Sequence, residues 1–230
     1  MKNKRIIVSF DDFYLHTSNK DSRLSRINDF RENIFAVKLG PTSFDAYDIL
    51  HITNFPILYD HQKLADTPET IEKIVRKMSC KLQENKDGII MLGYVGSKSI
   101  ETFINKCKEK NLNSYIVVKM SHEKSDEFLK EDAAEKICEV SLNLGANGII
   151  CPVWDFELIK KCRQMIDERK TTTTLATLNS TDLKIARLIT VGLRDPETAK
   201  KAVDCGADYI ITGTYFFNSS KEDLEKLLSL

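Results

Sequence analysis

The chain has 230 residues, and its 34 basic and 34 acidic residues give a formal net charge of zero, so it carries no overall field that would attract nucleic acid or an anionic membrane. Its six cysteines form no CxxC pair and show no spacing typical of zinc ligands, which argues against a zinc site. No segment approaches the roughly 18 consecutive apolar residues of a membrane span, and the first apolar run is too short for a signal peptide, so we expect a soluble, cytoplasmic protein.

Eight short apolar runs rich in β-branched residues are distributed along the whole chain. Continuous runs of this kind are typical of parallel strands that are buried on both faces, because a solvated face would impose alternating polar residues. The predicted strands are RIIVSF (5–10), IFAVKLG (34–40), PILYD (56–60), GIIMLG (88–93), SYIVVKM (114–120), NGIICP (147–152), ARLITVG (186–192) and DYIITG (208–213).

Segments with apolar residues at helical spacing lie between several of the predicted strands. They are PETIEKIVRKM (68–78), SIETFINKCKEK (99–110), DAAEKICEVSLNLG (132–145), FELIKKCRQMI (156–166) and PETAKKAVDCG (196–206). Barrels of alternating strands and helices commonly use about 200 to 250 residues, so we expect residues 1–230 to form a single α/β domain, a (β/α)₈ TIM barrel.

The segment TTTTLATLNSTDLK (171–184) fits neither the strand nor the helix period. It is predicted to be an irregular connection before the seventh strand. Two interpretations are open for it, a loop over the functional site and an ordinary solvated loop.

Charged residues follow the first three predicted strands, and in barrel enzymes the active site lies at the carboxyl ends of the strands. Asp11 follows the first strand, Lys38 lies in the second, and Asp60, His61 and Lys63 end or follow the third. Carboxylates and ammonium groups that are brought together shift one another's pKa, which is how a protein builds a proton-transfer site. The alternative for each residue alone is an ordinary surface charge.

The segment DHQKLADTPET (60–70) has a second interpretation. It is also consistent with a solvated turn that caps the next helix, with Asp66 or Thr67 as the N-cap and Pro68 in the first turn. The sequence leaves both interpretations open.

Glycines and an arginine follow the seventh and eighth predicted strands, where barrel proteins commonly bind phosphate through backbone N–H groups. The candidate phosphate-binding residues are Gly192, Arg194, Gly213 and Thr214. The alternative is that the glycines only turn the chain and that Arg194 pairs with Asp195 or Glu197.

Four motifs resemble those of the orotidine 5′-phosphate decarboxylase superfamily, and together they extend over nearly the whole chain. KLADTPET (63–70) resembles the family's KxxDIPxT, and MSHEKSDEF (120–128) resembles its MSHPGA stretch. AVKLG (36–40) resembles the strand that carries the first catalytic lysine, and VSFD (8–11) resembles the strand that ends in a ribose-binding aspartate. The resemblance implies a homodimeric lyase that decarboxylates orotidine 5′-phosphate (OMP) to uridine 5′-phosphate (UMP) in pyrimidine biosynthesis, without a metal or an organic cofactor.

The resemblance also implies roles for individual residues. Lys38, Asp60, Lys63 and Asp66 would form the catalytic set, and Asp66 and Thr70 would reach across the dimer interface into the neighbouring site. Of the substrate-binding residues, Asp11 would contact a ribose hydroxyl and Ser121 would bond the pyrimidine ring.

Three departures from the family pattern bear on these roles. The family shows DxKxxD, whereas here the acid lies one residue further from the lysine, so either a bulge restores Asp60 or His61 replaces it. The PGxGxQGG loop is shortened to VGLRDPET (191–198), which removes a glutamine, and the usual Gly-Arg after the last strand is Gly213 followed by threonine. We expect Arg194 to compensate for the missing phosphate-binding arginine.

Two other functions are consistent with the sequence. One is a Mg²⁺-dependent lyase of the same superfamily that acts on a keto-sugar phosphate, but those relatives carry a metal-binding glutamate where this chain has Lys38. The other is a barrel that binds a phosphorylated metabolite without catalysis, which the altered acid-to-lysine spacing and the missing Gly-Arg favour.

Overall fold

Eight parallel strands close into a barrel in the order in which they occur along the chain. The computed structural model describes residues 4–11, 22–48, 54–61, 64–176 and 186–230. The closed barrel confirms the predicted TIM fold, and each strand lies within a few residues of its predicted position. The strands are β1 Ile6–Phe10, β2 Ile34–Leu39, β3 Ile57–Asp60, β4 Gly88–Leu92, β5 Asn113–Val117, β6 Gly148–Pro152, β7 Arg187–Val191 and β8 Tyr209–Thr212.

Helices surround the barrel and pack against its outer face. The helices of the described ranges are α1 Ser22–Asp29, α2 Pro68–Met78, α3 Ser97–Glu109, α4 Ala133–Leu144, α5 Phe156–Ala176, α6 Pro196–Asp204, α7 Thr214–Asn218 and α8 Lys221–Leu228. The five predicted helices correspond to α2 to α6, whereas α1, α7 and α8 were not predicted. None of the helices in these ranges combines the length and the apolar character needed to cross a membrane.

Helix α5 is longer than predicted. Residues 171–176 continue it, so the prediction of an irregular connection is wrong for that part, while residues 177–184 lie outside the described residues. Threonine is a poor helix former, so the local sequence gives no helical signal, but extending an existing helix costs much less than starting one. The interpretation of this segment as a loop over the functional site concerns residues 177–184 as well, and it stays a prediction.

Alternate residues of each strand face either the barrel interior or the surrounding helices. The residues that fill the interior are Ile7, Ala36, Leu58, Ile90, Tyr115, Val117, Ile150, Ile189 and Ile211. Lys38 and Asp60 each lie two residues beyond an interior residue, at the carboxyl ends of β2 and β3. The same alternation that fills the core therefore directs both charged side chains into the mouth of the barrel.

Candidate active site

A lysine between two carboxylates forms the polar centre of the barrel mouth. Lys38 Nζ lies 2.6 Å from Asp11 Oδ1 and 3.2 Å from Asp60 Oδ2. Lys38 is 7% exposed and Asp60 is 3% exposed, so this ion pair is largely shielded from water. The predicted convergence of charges from the first three strands is present for these three residues.

The two carboxylates keep the lysine charged despite its burial. Burial alone disfavours the ammonium form, but the charges of Asp60 and Asp11 and their hydrogen bonds outweigh it, so the pKa of Lys38 is raised above its ordinary value. Lys38 is therefore a fixed positive charge at neutral pH and not a general base.

Two hydroxyl groups hold Asp11 in position, one through its side chain and the other through its backbone carbonyl group. Ser9 Oγ donates to both carboxylate oxygens of Asp11 at 2.8 Å, and the Thr42 hydroxyl donates to the Asp11 carbonyl oxygen. The Asp11 side chain is nevertheless 64% exposed, in contrast to that of Asp60. One carboxylate of the array is thus accessible to a ligand from solvent, and the other lies deeper in the mouth.

The array borders a cavity of about 310 Å³ that has one polar and one apolar side. The polar side comes from β1, β2 and β3, and the apolar side from the later strands. The lining residues are Ser9, Asp11, Lys38, Gly40, Asp60, Ile90, Val117, Ile150, Val191 and Ile211. A small ligand with a flat apolar part and a charged edge matches this distribution.

Asp60, and not His61, lies beside Lys38. His61 Nδ1 lies 2.7 Å from the hydroxyl of Tyr59, which belongs to the cluster between the strands and the helices. Successive residues of a strand point to opposite sides, so His61 shares the outward direction of Tyr59. The alternative in which His61 replaces the acid is therefore wrong, and Asp60 joins the array directly from the end of β3.

The segment after β3 leads to the start of helix α2. Thr67 is the N-cap residue and Pro68 is the first helical residue, as the helix-cap interpretation predicts. Asp66 is exposed and accepts a hydrogen bond from the Thr67 N–H at 2.6 Å, and the Thr67 hydroxyl lies 3.3 Å from that of Thr70. Lys63, the predicted second catalytic lysine, lies outside the described residues. Within the described residues, Asp66 and Thr70 make no hydrogen bond or ion pair with Asp11, Lys38 or Asp60, and their place in a partner's site stays a prediction.

A second charged group lies at the ends of β5 and β6. Lys119 Nζ lies 2.7 Å from Asp126 Oδ2, 3.0 Å from Asp155 Oδ2 and 5.1 Å from the centre of the Trp154 ring. Trp154 Nε1 also donates to the carbonyl oxygen of Ser121 at 3.1 Å. Lys119, Trp154 and Asp155 were not predicted as site residues. Lys119 nevertheless lies two residues beyond Val117 and so continues the series of residues that face the interior.

Glycines bring the loops of the mouth close to one another. Gly192 has a φ of +93°, and a Cβ placed on it would lie 2.9 Å from Ser121 Cβ, so the loops after β5 and β7 touch at this point. A Cβ on Gly213 would lie 3.1 Å from the Ser9 carbonyl oxygen and 3.7 Å from Asp11 Oδ2. Gly213 precedes helix α7, and Thr214 is its exposed first residue. Gly192, Ser121 and Gly213 therefore lie at the mouth, as predicted.

Arg194 is exposed in the loop after β7 and makes no ion pair with any residue of the described ranges. The alternative in which it pairs with Asp195 is not observed, because Asp195 instead caps helix α6. Asp195 Oδ1 accepts from the Thr198 N–H and Oδ2 from the Thr198 hydroxyl, both at 2.8 Å. The guanidinium group of Arg194 is thus accessible to a ligand from solvent.

The charged centre differs from a metal site in its donor set. In the described part of the chain, no group of three or more His, Cys, Asp or Glu side chains is arranged to hold a metal ion. Between the two carboxylates at the mouth, the position that a cation would occupy is taken by the ammonium group of Lys38.

Comparison with known proteins places this site in a family. Orotidine 5′-phosphate decarboxylase of Methanosarcina mazei is 26% identical over 212 residues, covering 89% of this chain and 86% of the relative. The enzyme of Methanococcoides burtonii is 24% identical over 225 residues, covering 95% and 92%.

Solved structures show the same fold. The Methanocaldococcus jannaschii orotidine 5′-monophosphate decarboxylase complexed with the inhibitor BMP superimposes with a TM-score of 0.74 at 22% identity, covering 97% of this chain and 95% of the other. The Pyrococcus horikoshii enzyme superimposes with a TM-score of 0.70 at 22% identity, covering 97% of both chains. Residues 4–226 match the sequence pattern of one family, and the chain belongs to it: the orotidine 5′-phosphate decarboxylase / HUMPS family.

Proposed function

We propose that the protein is an orotidine 5′-phosphate decarboxylase, a lyase of pyrimidine biosynthesis that converts OMP to UMP and CO₂ without a metal. The observation that carries the proposal is the buried ammonium group of Lys38 between Asp11 and Asp60 at the mouth of a barrel of this family. We further propose that residues 1–230 form one barrel domain and that the protein acts in the cytoplasm as a homodimer.

The reaction breaks the bond between C6 of the pyrimidine and its carboxylate. The carboxylate leaves as CO₂, the electron pair of the bond remains on C6, and a proton on C6 completes UMP. Lys63, by its resemblance to the second family lysine, donates that proton and is then protonated again from water. The fixed charge of Lys38 stabilises the developing negative charge without reorganisation, which is commonly the largest contribution in such sites.

We assign to Asp60 a position beside the substrate carboxylate, where its charge raises the free energy of the bound substrate more than that of the transition state. A carboxylate beside the substrate carboxylate repels it, and the repulsion falls as neutral CO₂ forms. Contacts with the remote phosphate and ribose supply binding energy that offsets this repulsion. The exposed carboxylate of Asp11 is suited to accept a hydrogen bond from a ribose hydroxyl. We assign the bond to the pyrimidine ring to Ser121, which lies beside Gly192.

The loops after β7 and β8 are the proposed phosphate-binding loops. We assign it to the backbone at Gly192, Gly213 and Thr214, together with the guanidinium group of Arg194. Arg194 is exposed and has no ion pair within the described residues, which supports its role as a replacement for the family's arginine. Asp66 and Thr70 are solvent-accessible at the start of α2 and are assigned to the neighbouring site of the dimer.

The Mg²⁺-dependent lyase is not favoured, because a lysine takes the place of the metal-binding glutamate and its ammonium group already pairs with the two carboxylates. The non-catalytic alternative is also not favoured. The features that favoured it were the altered acid-to-lysine spacing and the missing Gly-Arg. Against them, Asp60 lies 3.2 Å from Lys38 at the mouth, and Arg194 is exposed in the loop after β7.

The test is the ultraviolet absorbance of OMP during incubation with the purified protein, with and without EDTA. We expect the absorbance to fall at the same rate in both, and we expect the Lys63→Ala variant to show no turnover. Lys98→Ala is the matched control, because Lys98 is exposed and, among the described residues, forms an ion pair only with Glu101 in the next helical turn. Activity that disappears with EDTA would support the Mg²⁺ reaction class, and the absence of turnover in the wild type would support the non-catalytic barrel. A Lys63→Ala variant with a near-normal rate would contradict the mechanism.

A further inference from the structure

A second cavity, of about 430 Å³, lies at the amino-terminal end of the barrel, opposite the mouth. Its lining includes four cationic side chains and one carboxylate. The residues that line it are Arg5, Asn113, Tyr115, Asn147, Arg163, Lys170, Ala186, Arg187, Asp208 and Tyr209. Most of them immediately precede or begin strands β1, β5, β6, β7 and β8, which fixes their common position at this end.

Arg187 is held by aromatic rings and not by acids. Its guanidinium carbon lies 4.9 Å from the centre of the Phe35 ring and 5.3 Å from that of Tyr209. These two rings lie 4.1 Å apart, and a register shift between β1 and β2 leaves Phe35 opposite no residue of β1. Within the described residues Arg187 has no side-chain hydrogen bond and no ion pair. A stacked guanidinium group keeps its N–H edge available for an anion.

Two of the other cations have carboxylate partners. Arg163 Nη1 lies 3.2 Å from Asp208 Oδ1, and Arg163 Nε lies 3.7 Å from Asp167 Oδ2. Lys170 Nζ lies 2.9 Å from Asp167 Oδ1. Asp208 is shared further, since its Oδ2 accepts from the Leu188 N–H at 2.7 Å. These carboxylates are therefore already engaged and do not neutralise the remaining cations.

Arg5 is the second cation of the cavity that has no carboxylate partner within the described residues. Its Nη1 donates to the Ala207 carbonyl oxygen at 3.3 Å, whereas its buried Nε has no hydrogen-bond partner in the described residues. Asn147 adds a neutral donor, because its Oδ1 accepts from the Ser114 N–H at 2.9 Å and its amide NH₂ group makes no bond there. Two guanidinium groups without a carboxylate thus line one cavity.

We propose that this cavity binds a small anion that carries at least two phosphoryl groups, such as pyrophosphate or the polyphosphate part of a nucleotide. An excess of positive charge in a cleft with low-dielectric walls attracts multivalent anions. Two separate guanidinium groups match an anion with two phosphoryl groups better than an anion with a single phosphoryl group. The volume of the cavity is that of about 14 water molecules, which is enough for either ligand. This site is independent of the reaction assigned to the mouth.

The experiment is isothermal titration calorimetry of the full chain with pyrophosphate and, in a second arm, ATP, both without divalent metal and at constant ionic strength. We expect saturable binding to the wild type, and binding that is about tenfold or more weaker in Arg187→Gln, because a charge-assisted hydrogen bond is lost. Tighter binding of ATP than of pyrophosphate would identify a nucleotide as the source of the phosphates, and equal binding would identify the polyphosphate alone.

Two controls separate this site from other cationic surfaces. Lys98→Gln removes one exposed charge elsewhere, and Arg194→Gln removes the cation that we assign to phosphate binding at the mouth. Both variants are expected to bind pyrophosphate as the wild type does. If Arg187→Gln fails to fold, as judged by circular dichroism, Arg5→Gln takes its place with the same expectation. No binding to the wild type, wild-type affinity in both the Arg5 and the Arg187 variants, or loss of binding in Arg194→Gln would each overturn the proposal.

Discussion

The two ends of the barrel hold charge in opposite ways. At the carboxyl-terminal mouth, one buried ammonium group lies within 3.2 Å of two carboxylates, so the charges of these three residues are paired with one another before any ligand binds. At the amino-terminal end, four cations line one cavity and two of them have no carboxylate within reach in the described ranges. The difference teaches that an array of paired charges suits chemistry in which charge develops during the reaction, whereas a cluster with an excess of cations suits the binding of an anion.

The amino-terminal end also contains a polar network that holds the structure together. The buried carboxylate of Asp87 accepts hydrogen bonds from the Ile57 N–H, the Gln83 N–H and the Tyr47 hydroxyl, at 2.8 to 2.9 Å. Burial and the charge of Asp87 raise the pKa of Tyr47, so its hydroxyl remains a donor. In barrel proteins the mouth usually carries function and the opposite end usually carries stability. The variants below test that division.

The largest effect is expected at the mouth. Lys38→Ala removes the fixed positive charge and leaves Asp11 and Asp60 to repel each other and the substrate, so we expect turnover of OMP to fall on the order of 10³-fold. The measurement is the initial rate by ultraviolet absorbance, with Lys98→Ala as the exposed-lysine control. A rate within about tenfold of the wild type would show that the array is not needed for turnover.

At the opposite end we expect a loss of stability without a loss of turnover. Asp87→Ala leaves two buried donors and one half-buried donor without an acceptor, and the free energy of unfolding should fall by about 3 kcal/mol. Urea denaturation gives this value, and kcat measured well below the midpoint should match the wild type. Asp87→Asn keeps one acceptor oxygen and should be destabilised less. A normal stability with reduced kcat would reverse the proposed division between the two ends.

A smaller effect is expected where the loops after β5 and β7 touch. Gly192→Ala forces a side chain into a left-handed backbone conformation, at a cost of about 1 to 2 kcal/mol, and pushes its Cβ against Ser121. Gly145→Ala is the matched control, because Gly145 has a φ of +92° but no atom within 4 Å of the added Cβ. Both variants should lower Tm, and Gly192→Ala should also raise the KM for OMP. An equal KM in the two variants would exclude a role for the Ser121 contact in substrate binding.

The smallest effect is expected at the cap of helix α6. Asp195→Ala removes the acceptor of the Thr198 N–H and should cost about 1 kcal/mol, whereas Asp195→Asn should cost less, since asparagine is also a good N-cap residue. Hydrogen bonds from Thr198 lower the pKa of Asp195, so its contribution is fully present above its unfolded pKa of about 3.9 and decreases as the pH falls through the folded value. The Tm difference between the wild type and Asp195→Ala should therefore be constant from pH 5 to 8 and shrink below about pH 4. A difference that stays constant down to about pH 2 would show that the charge of Asp195 does not matter for the cap.

Much of the fold was predictable because it depends on local apolar patterns. The buried strands of a parallel barrel are continuously apolar, so their positions are visible in the sequence. Strand alternation also indicates which of Asp60 and His61 lies beside Lys38. Asp60 lies two residues after interior Leu58, and His61 lies two residues after outward-facing Tyr59. The family spacing, and not the alternation, suggested a bulge there.

The remaining features depend on contacts between distant segments. Threonines at 171–174 give no helical signal of their own, yet the preceding turns of α5 carry the helix through them. Lys119, Trp154 and Asp155 come together only because β5 and β6 are neighbours, and no motif marks them. The cationic cavity likewise combines residues from the starts of five strands. Each of its charged residues, taken alone in the sequence, is consistent with an ordinary surface charge.

The most direct test of the central claim is the product formed from OMP by the wild type in D₂O that contains EDTA. NMR spectroscopy of the nucleotide identifies the product and the isotope at C6. If the mouth of the barrel decarboxylates OMP as proposed, the product is UMP with one deuterium at C6, formed in equal amount to the CO₂ released. Recovery of unchanged OMP at an enzyme concentration equal to that of the substrate would contradict the proposed activity.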